Sequence, residues 1–331
     1  MQGKPKSPIY LSRRALVRGA AQIAAFGAVS APFIVSARGD VPIKIGMLLA
    51  KTGVATEQGQ YLSQGTYLAL EQASNTVLGR PCEVVWLDDP DPQTGQQNIT
   101  KLIDQEQVIA VVGGSTSATT LAEAALANRR KIPFFANTAA AREVTGKNCN
   151  RYTFRIKATA PVFARALAPY LTTIGKKWYF ITASYAYGQD MHRSMEALLQ
   201  EAGGTVVGAD ETPIGTVDFS SFMLKIRQSN PDVVFAGVPA ADLSNFLKQY
   251  NEIGFKGKIP LASLGVATSD MWAVGNDVLT GIYTTQWYYN DPSNSADEKE
   301  FTSAFLTKYG KPPADGAWMG WASMKLLLGA I

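Results

Sequence analysis

Histidine and cysteine are scarce: His192 is the only histidine among 331 residues, and Cys82 and Cys149 are the only cysteines. A zinc centre needs three or four closely grouped His, Cys or acidic ligands, so this inventory argues against one. His192 falls in a helical pattern as a surface or packing residue. No Gly-x-Ser-x-Gly elbow accompanies it, which leaves a Ser/His/Asp triad without its parts. Neither a Walker sequence nor Gly-x-Gly-x-x-Gly occurs, and nucleotide binding is disfavoured. Asp88, Asp89 and Asp91 alternate with Pro90 and Pro92 and read as an acidic turn rather than a metal cluster. Nothing marks a pair of catalytic carboxylates. No enzyme, metal or cofactor is expected; binding without chemistry fits better.

A surplus of charge of one sign is also missing once the amino terminus is set aside. The formal charge of +4 comes from 31 bases and 27 acids, 18% of residues being charged. Residues 1–37 hold Lys4, Lys6, Arg13, Arg14 and Arg18 and no acid, so the remaining 26 bases face 27 acids. That balance gives no electrostatic reason to expect nucleic acid or an anionic membrane. The same 37 residues read as an export signal: Ser12-Arg13-Arg14 is a twin-arginine pattern, Gly19–Val35 is mildly apolar, and Val35-Ser36-Ala37 offers small residues for cleavage. No later stretch is long and apolar enough to span a bilayer. The mature chain is expected in the periplasm. Export permits a disulfide, but the strand order would set Cys82 and Cys149 at opposite sheet edges, which argues against a bridge.

What is present is alternation. The length favours two lobes. Short apolar runs at 43–49, 83–87, 108–112 and 132–136 alternate with helical patterns near 61–77, 93–107 and after 117. A second series follows from about Ala158, with strands at 177–182, 205–208, 233–236 and 259–262 and helices at 162–173, 188–202, 219–228 and 241–253. An extended aromatic stretch covers 281–289, and 296–309 is helical. This order predicts an α/β fold of two doubly wound parallel-sheet lobes joined by a hinge. The expected division is a signal over 1–37, a first lobe over 38–158, a second over 159–285 and a return to the first over 286–331. The apolar helix at 318–331 reads as an end truncated within a longer fold.

Ligands of open parallel sheets sit beyond the carboxyl ends of the strands. Four loops qualify, two from each half: Gly113–Ser117, Asn137–Ala141, Ala183–Gly188 and Ser263–Ala267. The first is the most informative. Val111-Val112 ends a buried strand, Gly113-Gly114 allows a tight turn, and Ser115, Thr116 or Ser117 can cap the helix that follows. The first amides of such a helix carry partial positive charge and seat a carboxylate or phosphate.

Several motifs in order, Ile43–Gly53, Gly59–Glu71, Leu87–Pro92, Gly113–Ser117, Asn150–Arg155, Tyr185–Gly188 and Asp218–Ser220, resemble type I periplasmic binding proteins of ABC importers. The resemblance is greatest to the leucine/isoleucine/valine-binding group and spans nearly the whole mature chain. It implies three hinge crossings, closure around a small carboxylate solute, a monomer, and delivery to a membrane permease. Matched by motif, Ser117 stands for the carboxylate-binding hydroxyl. Thr138 and Ala140 occupy the next loop, Ala140 where amino-acid binders often have threonine, and Tyr187 matches an aromatic wall. Pro239 replaces a second tyrosine. Leu264 stands where amino-acid binders place an acid for the ammonium, which favours an aromatic or aliphatic acid over an amino acid unless Glu57 or Asp242 substitutes. A buried ammonium without a carboxylate is costly. The competing reading is a ligand-sensing receptor or an amide-type regulator on the same fold.

Overall fold

The computed structural model describes residues 41–331; the twin-arginine pattern and the rest of the signal read over 1–37 lie outside the described residues. The first sheet has the order β2-β3-β1-β4-β5-β6, built from β1 (Ile43–Leu48), β2 (Thr76–Val77), β3 (Arg80–Leu87), β4 (Ala110–Gly113), β5 (Phe134–Ala136) and β6 (Thr153–Arg155). The second has the order β11-β10-β9-β7-β8, from β7 (Lys177–Ala183), β8 (Thr205–Thr212), β9 (Val233–Gly237), β10 (Leu261–Ser263) and β11 (Ile282–Tyr283). Every pairing is parallel except the short β2–β3 hairpin. Parallel strands are joined by crossover helices, and those helices cover both faces.

Alternation along each strand shows that covering directly. In the second sheet, Trp178, Phe180 and Phe235 pack on one side against α4 (Ala160–Ile174) and α5 (Ala186–Glu201). Tyr179, Ile181, Val234 and Ala236 face the other, against α6 (Ser220–Ser229) and α7 (Ala240–Glu252). The first sheet does the same: Val111 and Phe134 join α2 (Pro92–Asp104) and α3 (Ser117–Arg130). Ile45, Val112 and Phe135 join α1 (Thr56–Gln72), α9 (Ala296–Tyr309) and α10 (Asp315–Ala330).

Register is what gathers the loops. Leu48 pairs with Gly113, Gly113 with Ala136, and Ala136 with Arg155, so four strands end level with one another. In the second sheet Thr182 lies opposite Gly237 and Ala183 opposite Thr212. The segments that follow these ends share one edge in each lobe.

Three expectations need correction. The helix read over 61–77 runs over Thr56–Gln72, because Ser74, Asn75, Leu78 and Gly79 take positive φ and turn 76–77 back as a strand. The extended stretch 281–289 contributes only Ile282–Tyr283 to the sheet. A helix not foreseen, α8 (Thr268–Val274), follows β10. Cys82 lies on β3, Cys149 precedes β6 at the far edge, and both are free thiols. Within the described residues the chain passes between the sheets twice, at 156–159 and again after β11, where Gln286 accepts the Ala158 N–H at 2.7 Å. The resemblance implied three crossings; α9 and α10 stay packed on the first sheet to the end of the described chain.

The lobes are closed on each other. Arg142, in the turn after β5, donates through its backbone N–H (2.6 Å) and its guanidinium to Asp190 of α5, and to Ser194 Oγ at 2.7 Å. Arg193 of the second lobe pairs with Glu143 of the first. Tyr61 of α1 meets Trp272 of α8 edge-on, ring centroids 6.1 Å apart.

Candidate functional site

The turn between β4 and α3 leaves donors with nothing to bind. Gly114 holds φ +84°, and a Cβ there would lie 2.2 Å from the Thr120 hydroxyl, so only glycine fits. Of the three candidate caps, Thr116 is the one used. Its hydroxyl accepts the Thr119 N–H (3.1 Å), while the Thr119 hydroxyl accepts the Thr116 N–H (2.9 Å). That reciprocal cap leaves the first two helical amides, of Ser117 and Ala118, without an acceptor among the described residues. Ser117 Oγ accepts the Ala141 N–H at 3.2 Å, which frees its proton to be donated elsewhere.

Between the lobes lies a cavity of about 50 Å³ onto which this turn opens. On this measure a water molecule needs roughly 10–15 Å³, so the space as closed has room for a few waters. The residues that cap the amino ends of α1, α3, α5 and α7, namely Ala55, Thr116, Tyr185 and Pro239, all line it. Four helix dipoles therefore direct their positive ends at one small space, an arrangement that favours an anion. Tyr185 and Tyr187 form a stacked aromatic wall, centroids 6.2 Å apart, with Val54, Leu243 and Val266 also facing inward. Burial pushes both phenols up, so they remain protonated donors.

The cavity wall also carries one acid and one base among its described residues, Asp270 and Lys157. Lys157 is buried, donates to the Gly265 carbonyl at 3.0 Å and sits 3.7 Å from Asp315 Oδ2. Asp315 in turn accepts the Thr268 N–H at 3.0 Å and returns its own N–H to the Thr268 hydroxyl. Burial, then the neighbouring Asp315, raise the Asp270 carboxyl to about 7.

Behind the turn lies a second buried group of acids. Asp89 accepts the Ser115 N–H at 2.8 Å and its hydroxyl, and Ser115 Oγ accepts the Ala50 N–H at 2.6 Å. Glu123 of α3 lies against Asp89, both fully buried. Desolvation raises both carboxyls, Asp89 to about 7 and Glu123 with the added repulsion of Asp89, so the pair holds a shared proton. The remaining acids of the turn are accounted for locally. Asp88 accepts the Lys51 N–H (2.7 Å) and Asp91 caps α2. No metal-type cluster occurs among the described residues.

Of the residues expected from sequence, Ser117, Thr138, Tyr187 and Pro239 line the cavity. Thr138 spends its hydroxyl on the Gly114 carbonyl, tying the second loop to the first. Ala140 and Leu264 do not line it. Ala140 is fully buried at the crossing, its carbonyl accepting the Ala160 N–H at 2.8 Å. The Leu264 side chain packs into the core of the second lobe, and only its carbonyl faces Tyr187, whose hydroxyl donates to it at 3.2 Å. Of the two acids that might have substituted, Glu57 is exposed and lies off the cavity wall. Asp242 is buried, accepts the Gly215 N–H at 3.0 Å and also lies off that wall. Asp270, Lys157 and Gln58 do line it, and no motif or spacing in the sequence points to them. His192 stacks on Phe180 at 4.3 Å, a packing residue beside Glu196.

Residues 42–331 match the family described as periplasmic binding protein. A Leu/Ile/Val-binding protein homolog 8 of Brucella abortus (strain 2308) is 31% identical over 311 residues, covering 87% of this chain and 75% of that one. A solute-binding protein of an ABC transporter from Rhodopseudomonas palustris BisB5, solved with 3,4-dihydroxybenzoic acid, superimposes with a TM-score of 0.80 at 26% identity, over 87% of this chain and 80% of its own. Another from R. palustris, solved with benzoate, gives 0.80 at 25% identity over the same shares.

Proposed function

This chain belongs to the periplasmic binding protein family, and we propose that it is the solute-binding component of an ABC importer, closing two lobes on a small carboxylate with an aromatic or branched aliphatic body. The observation that carries this reading is the pair of unclaimed amides at Ser117 and Ala118, beside a Ser117 proton free to donate, in a cavity that four helix amino ends face. The carboxylate sits on those donors, and Tyr185, Tyr187, Val54 and Leu243 receive the body. The Brucella relative bears the name of a Leu/Ile/Val-binding homolog, and the two R. palustris proteins were solved with aromatic acids; both kinds of solute carry a carboxylate. The carrier works in the periplasm as a monomer and presents its closed form to a membrane permease. Its lobes divide near residues 158 and 285.

Ala140 and Leu264 lose their assigned places in this scheme, since neither side chain reaches the cavity. The absence of an acid at position 264 therefore says nothing about an ammonium. The carboxylate requirement is tested by isothermal titration with benzoate against benzamide and leucine against leucinamide. Binding is expected only for the member of a pair that bears a carboxylate. Equal affinity for an amide would overturn the reading, as would failure of both carboxylates.

A further inference from the structure

Carboxyl groups are almost never fully buried without a cation, yet Asp89 and Glu123 lie together with none acting on either among the described residues. Gly95 of α2 makes the room: a Cβ there would lie 2.5 Å from Glu123 Oε1. Both Glu123 oxygens are buried and accept no hydrogen bond among the described residues. Two ionised carboxylates cannot share such a space, so a proton stays with them. The pair reaches the anion seat through one residue. Asp89 accepts the N–H and the hydroxyl of Ser115, which itself lines the cavity, and Thr116 and Ser117 follow it directly. The charged groups of the surrounding elements are engaged elsewhere or stand at far ends. Asp88 accepts from Lys51 and Thr52 and adds repulsion to Asp89, while the Lys51 ammonium donates to the Trp86 carbonyl at 2.8 Å. Asp91 caps α2, Arg130 pairs with Asp104, and Lys44 of β1 pairs with Glu106. Lys101 and Arg129 stand in the last turns of α2 and α3, and Arg80 and Glu83 toward the opposite end of β3. From the elements packed on α3, Arg142 and Arg193 are held by Asp190 and Glu143, and Arg155 by the Ala139 and Ala141 carbonyls.

We propose that the Asp89–Glu123 pair is a proton-operated regulator of the site: with its proton in place the turn seats a carboxylate, and loss of that proton weakens the seat. It rests on the carboxylate reading above, since only an anionic solute feels the sign of the charge behind Ser115. Burial raises both carboxyls, which brings this titration near neutrality, Asp89 at about 7. Above that pH a buried negative charge stands one residue behind the amides that receive the solute, where salt screens it little. Linkage makes the effect reciprocal: a bound carboxylate tightens the pair's hold on its proton as much as the proton tightens binding. Binding near neutral pH therefore takes up a fraction of a proton from the buffer.

Titration calorimetry with benzoate and with leucine at pH 6, 7 and 8 reads the coupling, since the carboxylate of each stays ionised over this range. Wild-type affinity is expected to fall about three- to tenfold from pH 6 to pH 8. At pH 7 the heats in MOPS and in imidazole should differ by the ionisation heat of the proton taken up. The two acids of the pair have opposite signatures. Glu123→Gln gives Asp89 an amide donor, keeps it ionised and holds affinity at the high-pH level throughout. Asp89→Asn leaves Glu123 alone and neutral and holds affinity at the low-pH level. Asp270, on the cavity wall beside the engaged Lys157, also titrates at about 7; Asp270→Asn is the control and is expected to keep the slope. The wild type and Glu123→Gln decide the matter even where Asp89→Asn fails to fold. Affinity independent of pH in the wild type overturns the proposal and leaves the carboxylate reading standing. An undiminished slope in Glu123→Gln also overturns it, as does a slope that disappears in Asp270→Asn. If neither solute binds at any pH, the carboxylate reading has failed and the regulator fails with it.

Discussion

At the level of single residues, the buried Asp89–Glu123 pair sets a pH dependence whose sign is fixed. Both carboxyls are raised in the folded protein, so the native state retains a proton that the unfolded chain releases above about pH 4. The stability this contributes is fully present below the ordinary carboxylate range and is lost as pH rises through about 7, where Asp89 titrates. Glu123→Gln removes one of the two acids while keeping its shape and a donor for Asp89. Its melting temperature is expected to fall less between pH 5 and pH 8 than the wild type's, with a gain at pH 8 on the order of 1–3 kcal/mol. Parallel melting curves for the two proteins would contradict the shared proton. A second expectation concerns Ser117. Its hydroxyl is the one side-chain donor at the open helix end, and Ser117→Ala is expected to weaken carboxylate binding by about tenfold or more, a charge-assisted hydrogen bond contributing roughly 1.5–3 kcal/mol. Titration calorimetry reads this directly; unchanged affinity would move the carboxylate elsewhere.

Ser117 is visible in the sequence because strand, paired glycine and hydroxyl cap follow one another with nothing between. Asp270 is hidden there, since it lies in a helix of seven residues, too short for hydrophobic periodicity to appear. Leu264 and Ala140 mislead for a related reason. Spacing locates a loop at a strand end, but which of its side chains faces the cavity depends on backbone turns that residue types do not specify. At Leu264 the side chain goes to the core and the carbonyl to Tyr187.

Among elements, the contact between α1 and α10 is the closest and the most sensitive. A Cβ on Gly65 would lie 1.8 Å from the Ala317 carbonyl oxygen, and one on Gly320 would lie 2.1 Å from that of Leu62. The helices cross backbone to backbone, each supplying a glycine where the other passes. Gly65→Ala and Gly320→Ala must therefore push two helices apart, and with them Tyr61, Phe305, Trp321 and Met324 of the shared core. A loss of about 3 kcal/mol or more is expected for either, at the upper end of overpacking costs, read from chemical denaturation. Gly329→Ala, on the same helix with open space around it, is the control and is expected to be neutral. This crossing was not legible in advance. Glycines at 316 and 320 in an apolar helix indicate close approach only once the partner helix is known. The alternation of strands and helices was legible, because buried parallel strands are continuous apolar runs. The amino end of α1 was missed because Ala55 supplies no side-chain cap to announce it.

For the molecule as a whole, the function proposed above makes closure an equilibrium in which the solute is not the only support. Asp190 is fully buried in α5 and takes both the backbone N–H and the guanidinium of Arg142 from the opposite lobe. Parting the lobes gives these contacts up to water, so they contribute to the closed state alone. A solute that binds the closed form is held more tightly the larger the fraction of protein already able to close. Arg142→Ala retains the backbone donor but removes the guanidinium from Asp190 and Ser194. Arg142 is 46% exposed on its side chain, so solvent screening limits the loss to about 1–2 kcal/mol. Affinity is then expected to fall about tenfold, mainly through faster release, and by the same factor for every solute that binds. That uniformity separates it from Ser117→Ala, which acts on the carboxylate. Small-angle scattering of ligand-free Arg142→Ala should give a larger radius of gyration than wild type, and saturation with solute should bring the two together. Identical affinity and identical radius would mean that the clasp forms only after the solute has closed the lobes by itself.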